Sequence, residues 1–250
     1  MIKLTDVLKE YSSNVVIGAV DLEIPKAGIT SIIGPNGAGK STAILMSGRL
    51  LEMDQGEITV AGLDVANCDS NELAKTIAIL RQENHFVTKL TVRQLVGFGR
   101  FPYSQGRLTC EDEVIITKYI QFLGLEELEH RYLNELSGGQ RQRVYVAMVL
   151  AQETEYVLLD EPLNNLDIAR SVQMMRYLRK AADDLGRTIV LVLHDINFAA
   201  RYSDRICAMK QGKIIACGSP DEIMKPDILS NIFETKIEIL QSSQGPIAVY

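Results

Sequence analysis

Residues 34 to 41 read Gly34-Pro35-Asn36-Gly37-Ala38-Gly39-Lys40-Ser41, between the apolar run Ile29-Thr30-Ser31-Ile32-Ile33 and an amphipathic segment that starts at Thr42. A chain with this order has few ways to fold: a buried strand must enter a tight glycine turn and leave it as a helix whose N-terminus faces whatever the turn encloses. The glycines let backbone N–H groups turn inward around β- and γ-phosphates. Lys40 adds a mobile positive charge, and the Ser41 hydroxyl can ligate Mg²⁺. The spacing therefore predicts a nucleoside triphosphate site. It does not by itself separate a kinase, a GTPase, a recombinase or a transport ATPase.

Composition narrows the setting. With 250 residues, 46% of them hydrophobic, the chain can build one large domain or two small ones around a substantial core. Its longest aliphatic run, Ile189-Val190-Leu191-Val192-Leu193, is far short of the ~20 residues a membrane helix needs. The first residues lack the apolar stretch of a secretory signal, so the cytoplasm is the expected compartment. A net charge of −6 without a run of lysine and arginine argues against nucleic acid and anionic lipid as main ligands. If the protein works at a membrane, another protein must hold it there. Cys68, Cys110, Cys207 and Cys217 form no C-x-x-C pair and are expected to be reduced thiols.

Along the chain, Ile2–Leu8, Val15–Ile24 and Gly56–Val60 alternate apolar and polar residues as a half-exposed antiparallel sheet would. Ile29–Ile33, Tyr156–Leu159 and Thr188–Leu193, with Ile77–Leu80 as a weaker fourth, show little alternation and predict strands buried on both faces of a parallel sheet. Between Thr91 and Gln152 the spacing turns helical, as in Val92, Leu95, Val96 and in Val114, Ile115, Tyr119, Phe122, Leu123. A last long helix is expected from about Ser137, carrying Val144, Ala147, Met148 and Ala151 on one side. Short helices and a small β pair, Ile237–Leu240 and Ile247–Tyr250, should close the chain.

Two further motifs bear on chemistry. Tyr156-Val157-Leu158-Leu159 runs into Asp160-Glu161, and an acid at the C-terminal edge of a parallel strand sits beside the phosphate loop. There Asp160 can hold the Mg²⁺ hydration shell and Glu161 can orient an attacking water. Leu136-Ser137-Gly138-Gly139-Gln140, followed by Arg141-Gln142-Arg143, opens the helix upstream of that strand, with Ser137 as N-cap and two glycines leaving backbone N–H groups uncovered. In this order, phosphate loop, Ser-Gly-Gly-Gln, then Asp-Glu, the sequence resembles the ATP-binding cassette family over nearly its whole length.

That resemblance implies an α/β fold: a P-loop NTPase (RecA-like) core with an antiparallel β subdomain over about 1–90 and 153–218, a helical subdomain over about 91–152, and a C-terminal segment over 219–250. It also implies roles for single residues. Tyr11 would stack on adenine. Gln82 would contact Mg²⁺ and the water and report to a membrane partner. Asp167, in Asn164-Asn165-Leu166-Asp167, would lie in a loop crossing between subunits, and His194 would touch the γ-phosphate. Lys40, Ser41, Gln82, Asp160, Glu161 and His194 would surround Mg·ATP together with Gly34 to Thr42. Ser137, Gly138, Gly139 and Gln140 would arrive from a second copy, head to tail. No catalytic position departs from the family pattern, and Asn164-Asn165 is one of several variants in its loop.

One cassette without a transmembrane part is the layout of importers with separate permease subunits and an extracellular substrate-binding protein, which would put this chain on the cytoplasmic face of the membrane. Gly99-Arg100-Phe101-Pro102-Tyr103-Ser104-Gln105-Gly106-Arg107-Leu108-Thr109 and Glu161 to Ile168 resemble the ATPases of iron(III)-siderophore importers, of catecholate or petrobactin type. Phe101 and Tyr103 would then face the permease. Vitamin B12 and haem importers share this layout, and exporters are close to it. Non-transport cassette ATPases carry long coiled coils or a second cassette; here Lys40 to Ser137 has no sustained heptads and only one phosphate loop exists.

Overall fold

The computed structural model describes residues 1–12, 15–82, 89–243 and 245–250. Strand β1 (Ile2–Ser12) and strand β2 (Val15–Ile24) pair antiparallel; β3 (Gly28–Ile33) leaves for a second sheet, and β4 (Gln55–Val60) and β5 (Leu63–Asp64) complete a four-stranded sheet of order β2-β1-β4-β5. The alternating pattern sets its register. Leu4 stands opposite Leu22 and Ile58, all three buried, while Lys3 and Thr5 face solvent.

The second sheet has order β10-β9-β3-β8-β7-β6, with β6 (Ile77–Leu80), β7 (Tyr156–Asp160), β8 (Thr188–Val192), β9 (Arg205–Lys210) and β10 (Lys213–Gly218). All pairings are parallel except β9 with β10. Every residue of β7 and β8 is buried, because both faces are covered. Ile32, Leu158, Val190 and Cys207 pack toward the antiparallel sheet and α1 (Lys40–Ser47), which follows β3. Ile33, Leu159, Leu191 and Ala208 pack toward the helices on the other side.

Helix α2 (Ser70–Thr76) precedes β6, and among the described residues four α-helices lie between β6 and β7: α3 (Val92–Phe98), α4 (Phe101–Ser104), α5 (Cys110–Phe122) and α6 (Gly138–Ala151). Thr91 with Gln94, Thr109 with Asp112 and Ser137 with Gln140 form capping boxes that start α3, α5 and α6. Buried Arg100 ties this layer together. It pairs with Asp112 at 2.9 Å and donates to the Ala151 carbonyl at the end of α6. Phe101 and Tyr103 lie on α4, both well exposed, with the Tyr103 ring 4.1 Å from the Arg100 guanidinium.

Two expectations need correction. The helix from Ser137 is not the last long one: α7 (Ile168–Leu185), 18 residues, follows β7 and buries Ser171, Met174, Met175, Leu178, Ala181 and Ala182 at helical spacing. Nor are all four cysteines free. Cys207 and Cys217 oppose each other across the β9–β10 hairpin, with Cα atoms 4.2 Å apart, and are joined as a disulfide; Cys68 and Cys110 are free. A hairpin brings residues ten apart face to face, which a search for C-x-x-C spacing does not sense. Helix α8 (Ile196–Tyr202) follows β8, and the chain closes with α9 (Pro220–Ile223), α10 (Pro226–Phe233) and the pair β11 (Glu238–Ser242) and β12 (Gly245–Val249). Among the described residues no helix is long and apolar enough to cross a membrane.

Candidate nucleotide site

The C-terminal ends of β3, β7 and β8 converge beside the loop that follows β3, the position at which open parallel sheets expose ligand-binding loops. Close packing dictates the loop's glycines. A Cβ on Gly34 would fall 2.0 Å from the Met209 carbonyl oxygen of β9, and Gly39 caps α1 in the left-handed region with φ of 99°. The loop encloses a cleft of about 580 Å³, lined by residues 36–42 together with Tyr11, Ile17, Gln82, Glu161, Asn164 and His194.

Lys40 is buried beneath the loop and donates from Nζ to the carbonyls of Gly34 and Pro35, both at 2.9 Å. Burial pulls its ammonium below the ordinary lysine range, against the attraction of Glu161 and Asp160. The Ser41 hydroxyl donates to Asp160 Oδ1 at 2.9 Å. Burial pushes the Asp160 carboxyl upward, the Ser41 hydrogen bond opposes this, and the neighbouring Glu161 charge adds to it. Glu161, the next residue, adopts φ of 53° and meets three side chains. His194 Nε2 lies 2.7 Å from its Oε1; Gln82 donates to its Oε2 at 2.7 Å, and the Asn164 amide donates to the same oxygen. Tyr11, half-exposed at the mouth, shares a hydrogen bond of 3.1 Å with Thr42.

These groups suit a triphosphate carrying a hard cation. Among the described residues no cluster of three His, Cys, Asp or Glu side chains could hold a metal alone. Ser41 and Asp160 together present two adjoining oxygens, the donor set with which magnesium combines when phosphates and water supply the rest.

Ser137, Gly138, Gly139, Gln140 and Asp167 are not in this cleft. Ser137 caps α6, accepting from Gln140 N at 3.4 Å, and Gly138 is exposed. Gly139 is covered by Arg170: a Cβ there would lie 2.6 Å from Arg170 Cδ. Asp167 caps α7 by accepting from Arg170 N at 2.8 Å and pairs with the Arg170 guanidinium at 3.3 Å. Ser137, Gly139, Gln140, Arg143 and Arg170 line a separate hollow of about 110 Å³. The two groups of residues thus line separate hollows.

Two cleft residues, Ile17 and Asn164, are given no role by the motifs above. Ile17 of β2 packs against Gly39, which its place in an alternating strand does not reveal. Asn164 was signalled only by lying three residues beyond Glu161, the span of one turn.

Residues 17–164 match the family described as ABC transporter. The chain belongs to that family. It is 70% identical to the petrobactin import ATP-binding protein FatE of Bacillus anthracis over 250 residues, all of both chains. It is 48% identical to the petrobactin import ATP-binding protein YclP of Bacillus subtilis (strain 168) over 250 residues, all of this chain and 99% of the other. A solved dimeric structure of the ATP-binding cassette MJ0796, in a post-hydrolysis state bound to ADP and Pi, superposes with a TM-score of 0.78 at 31% identity, covering 88% of this cassette and 99% of that one. The cassette is an ATPase, and its mixed α/β fold is that of the family.

Proposed function

We propose that this cassette drives import of an iron(III)-siderophore of the petrobactin class through separate permease subunits, working on the cytoplasmic face with an extracellular binding protein delivering the ligand. The observation that carries the reading is 70% identity, end to end, with a petrobactin import ATP-binding protein. Identity at this level, spanning the full length of both chains, supports a shared transport role and not only a shared ATPase.

Within the cassette, residues 34–42 cradle the phosphates, Lys40 neutralises them, and Tyr11 receives the adenine. Ser41, Asp160 and Gln82 hold Mg²⁺, which supplies charge neutralisation to the triphosphate. Glu161 accepts the proton of the attacking water, and His194 steadies the terminal phosphate. The hollow at Ser137 supports a second role: Ser137, Gly138, Gly139, Gln140 and Asp167 serve the nucleotide of a second copy arranged head to tail. The MJ0796 cassette, solved as a dimer, supports the pairing of two copies. Nucleotide then bridges the two copies, and hydrolysis lets them part, which is how binding energy becomes motion in the permease.

Deleting the gene tests the transport reading. Growth with iron(III)-petrobactin as sole iron source should be lost, restored by the parent gene and not by a Lys40→Ala copy, while growth on ferric citrate persists. Unchanged petrobactin-dependent growth in a strain lacking other petrobactin cassettes would refute it.

A further inference from the structure

Glu161 is held from three directions, and the three donors are not equivalent. Gln82 follows β6 and is exposed, and the His194 side chain, after β8, is well exposed too. Both stand at the mouth of the cleft, and both are read above as engaging metal or phosphate when nucleotide is bound. Asn164 differs. It lies in the same turn as Glu161, closed by Asn164 N donating to the Glu161 carbonyl at 3.2 Å and by Leu166 N donating to that of Leu163 at 3.2 Å. Both its backbone and its side chain therefore reach back to Glu161. The amide faces a carboxylate oxygen, so its nitrogen is the group that makes the contact.

We propose that Asn164 is a positioning residue for ATP hydrolysis: its side-chain amide fixes the rotation of the Glu161 carboxylate by binding Oε2, and so keeps Oε1 aimed into the cleft after Gln82 and His194 have turned to the nucleotide. The proposal rests on reading Glu161 as the base. A freely rotating carboxylate spends most of its time misdirected, and displacement of a catalytic group by about 1 Å is enough for a loss on the order of a hundredfold. Asn164 needs no contact with nucleotide for this, so substrate affinity is not affected.

The test uses the cassette reconstituted with its permease. Steady-state Mg·ATP hydrolysis and nucleotide affinity are measured for the parent, Asn164→Ala, Asn164→Asp and Glu161→Gln. Asn164→Ala should lower kcat roughly 10- to 100-fold while KM for ATP changes less than about 3-fold. Asn164→Asp keeps the shape and the turn but replaces the donor with a carboxylate, and should be at least as slow as Asn164→Ala. If Asn164 only maintains the turn, Asn164→Asp hydrolyses at close to the parent rate, and the proposal is overturned. Loss of activity through a matching rise in KM overturns it as well, since that signature belongs to ground-state binding. Glu161→Gln separates the two readings: parent-like turnover there removes the base assignment, whereas a stalled Glu161→Gln beside a fully active Asn164→Ala removes only the role of Asn164.

Discussion

The half-site around Lys40 and the half-site around Ser137 are built on opposite physical terms. The first gathers ionisable groups in a buried place: Lys40 and Asp160 are each nearly fully buried, with pKa values pushed toward their neutral forms, and Glu161 is wedged among three side chains. The second joins two ordinary helix starts, whose hydrogen bonds are satisfied locally by Ser137 with Gln140 and by Asp167 with Arg170. On the proposed function, chemistry is stored in one half and recognition in the other. The proposed composite site, split between two copies, would join a half that is costly to fold to one that is satisfied locally.

The contrast breaks most completely at Lys40. Lys40→Ala removes the only buried cation of the loop, so tight ATP binding and turnover should both fall below detection while thermal unfolding stays cooperative. Nucleotide binding and calorimetry on one preparation check this. Normal turnover would mean the cleft at residues 34–42 is not the nucleotide site.

Glu161→Gln should separate binding from chemistry. The amide still hydrogen-bonds a water but cannot take its proton, so turnover should drop by roughly 10²–10⁴ with ATP affinity retained. On the proposed function, nucleotide that binds without being cleaved keeps the copies bridged. Size-exclusion chromatography in Mg·ATP should therefore show a dimer for the variant and monomer after nucleotide removal, whereas a variant that hydrolyses at the parent rate would end the base assignment.

The half-site at Lys40 was far more legible in the sequence than the one at Ser137. Gly34 to Ser41 carries its own geometry, and Ile29–Ile33, Tyr156–Leu159 and Thr188–Leu193 are apolar without alternation because both faces of their sheet are covered. Distances that depend on folding were not legible. Asn164 meets Glu161 because of a turn, and Arg170 covers Gly139 because α7 packs against the start of α6. Helix α7 escaped because its charged face outweighs its apolar one; only the 3–4 spacing of Ser171, Met174, Met175, Leu178, Ala181 and Ala182 marks it. The hairpin β9–β10, with its Cys207–Cys217 link, carries Lys210 and Lys213 on either side of its turn and so lacks the long apolar run of the central strands.

Ser137→Arg sharpens the comparison further. An arginine at the exposed cap should leave ATP binding to its own subunit intact and lower hydrolysis by about two orders of magnitude, because the lost contact belongs to the opposite nucleotide. Mixing this variant with Lys40→Ala subunits leaves one complete composite site in each heterodimer. Partial recovery of turnover in the mixture, absent from either variant alone, is the expected result. Loss of ATP binding by Ser137→Arg on its own would put the serine in the same-chain site and dissolve the division.

The smallest effects concern stability, and the two halves should answer with opposite signs. Ser137→Ala deletes the N-cap of α6, which costs about 1 kcal/mol. Asp160→Asn removes a buried carboxylate whose folded pKa lies above its unfolded value, because burial outweighs the Ser41 hydrogen bond. A carboxyl shifted upward stabilises the fold only while protonated, and that contribution is lost as pH rises through the folded value. At neutral pH the ionised Asp160 therefore weighs against folding, and Asp160→Asn should raise the unfolding temperature of the nucleotide-free cassette by the equivalent of roughly 0.5–2 kcal/mol. The gain should shrink in the acid carboxylate range and be accompanied by loss of Mg-dependent turnover. Scanning calorimetry at neutral and acid pH measures both variants. An Asp160→Asn cassette no more stable than the parent would show that the loop's own contacts already compensate the buried charge, and the asymmetry between the half-sites would be one of function alone.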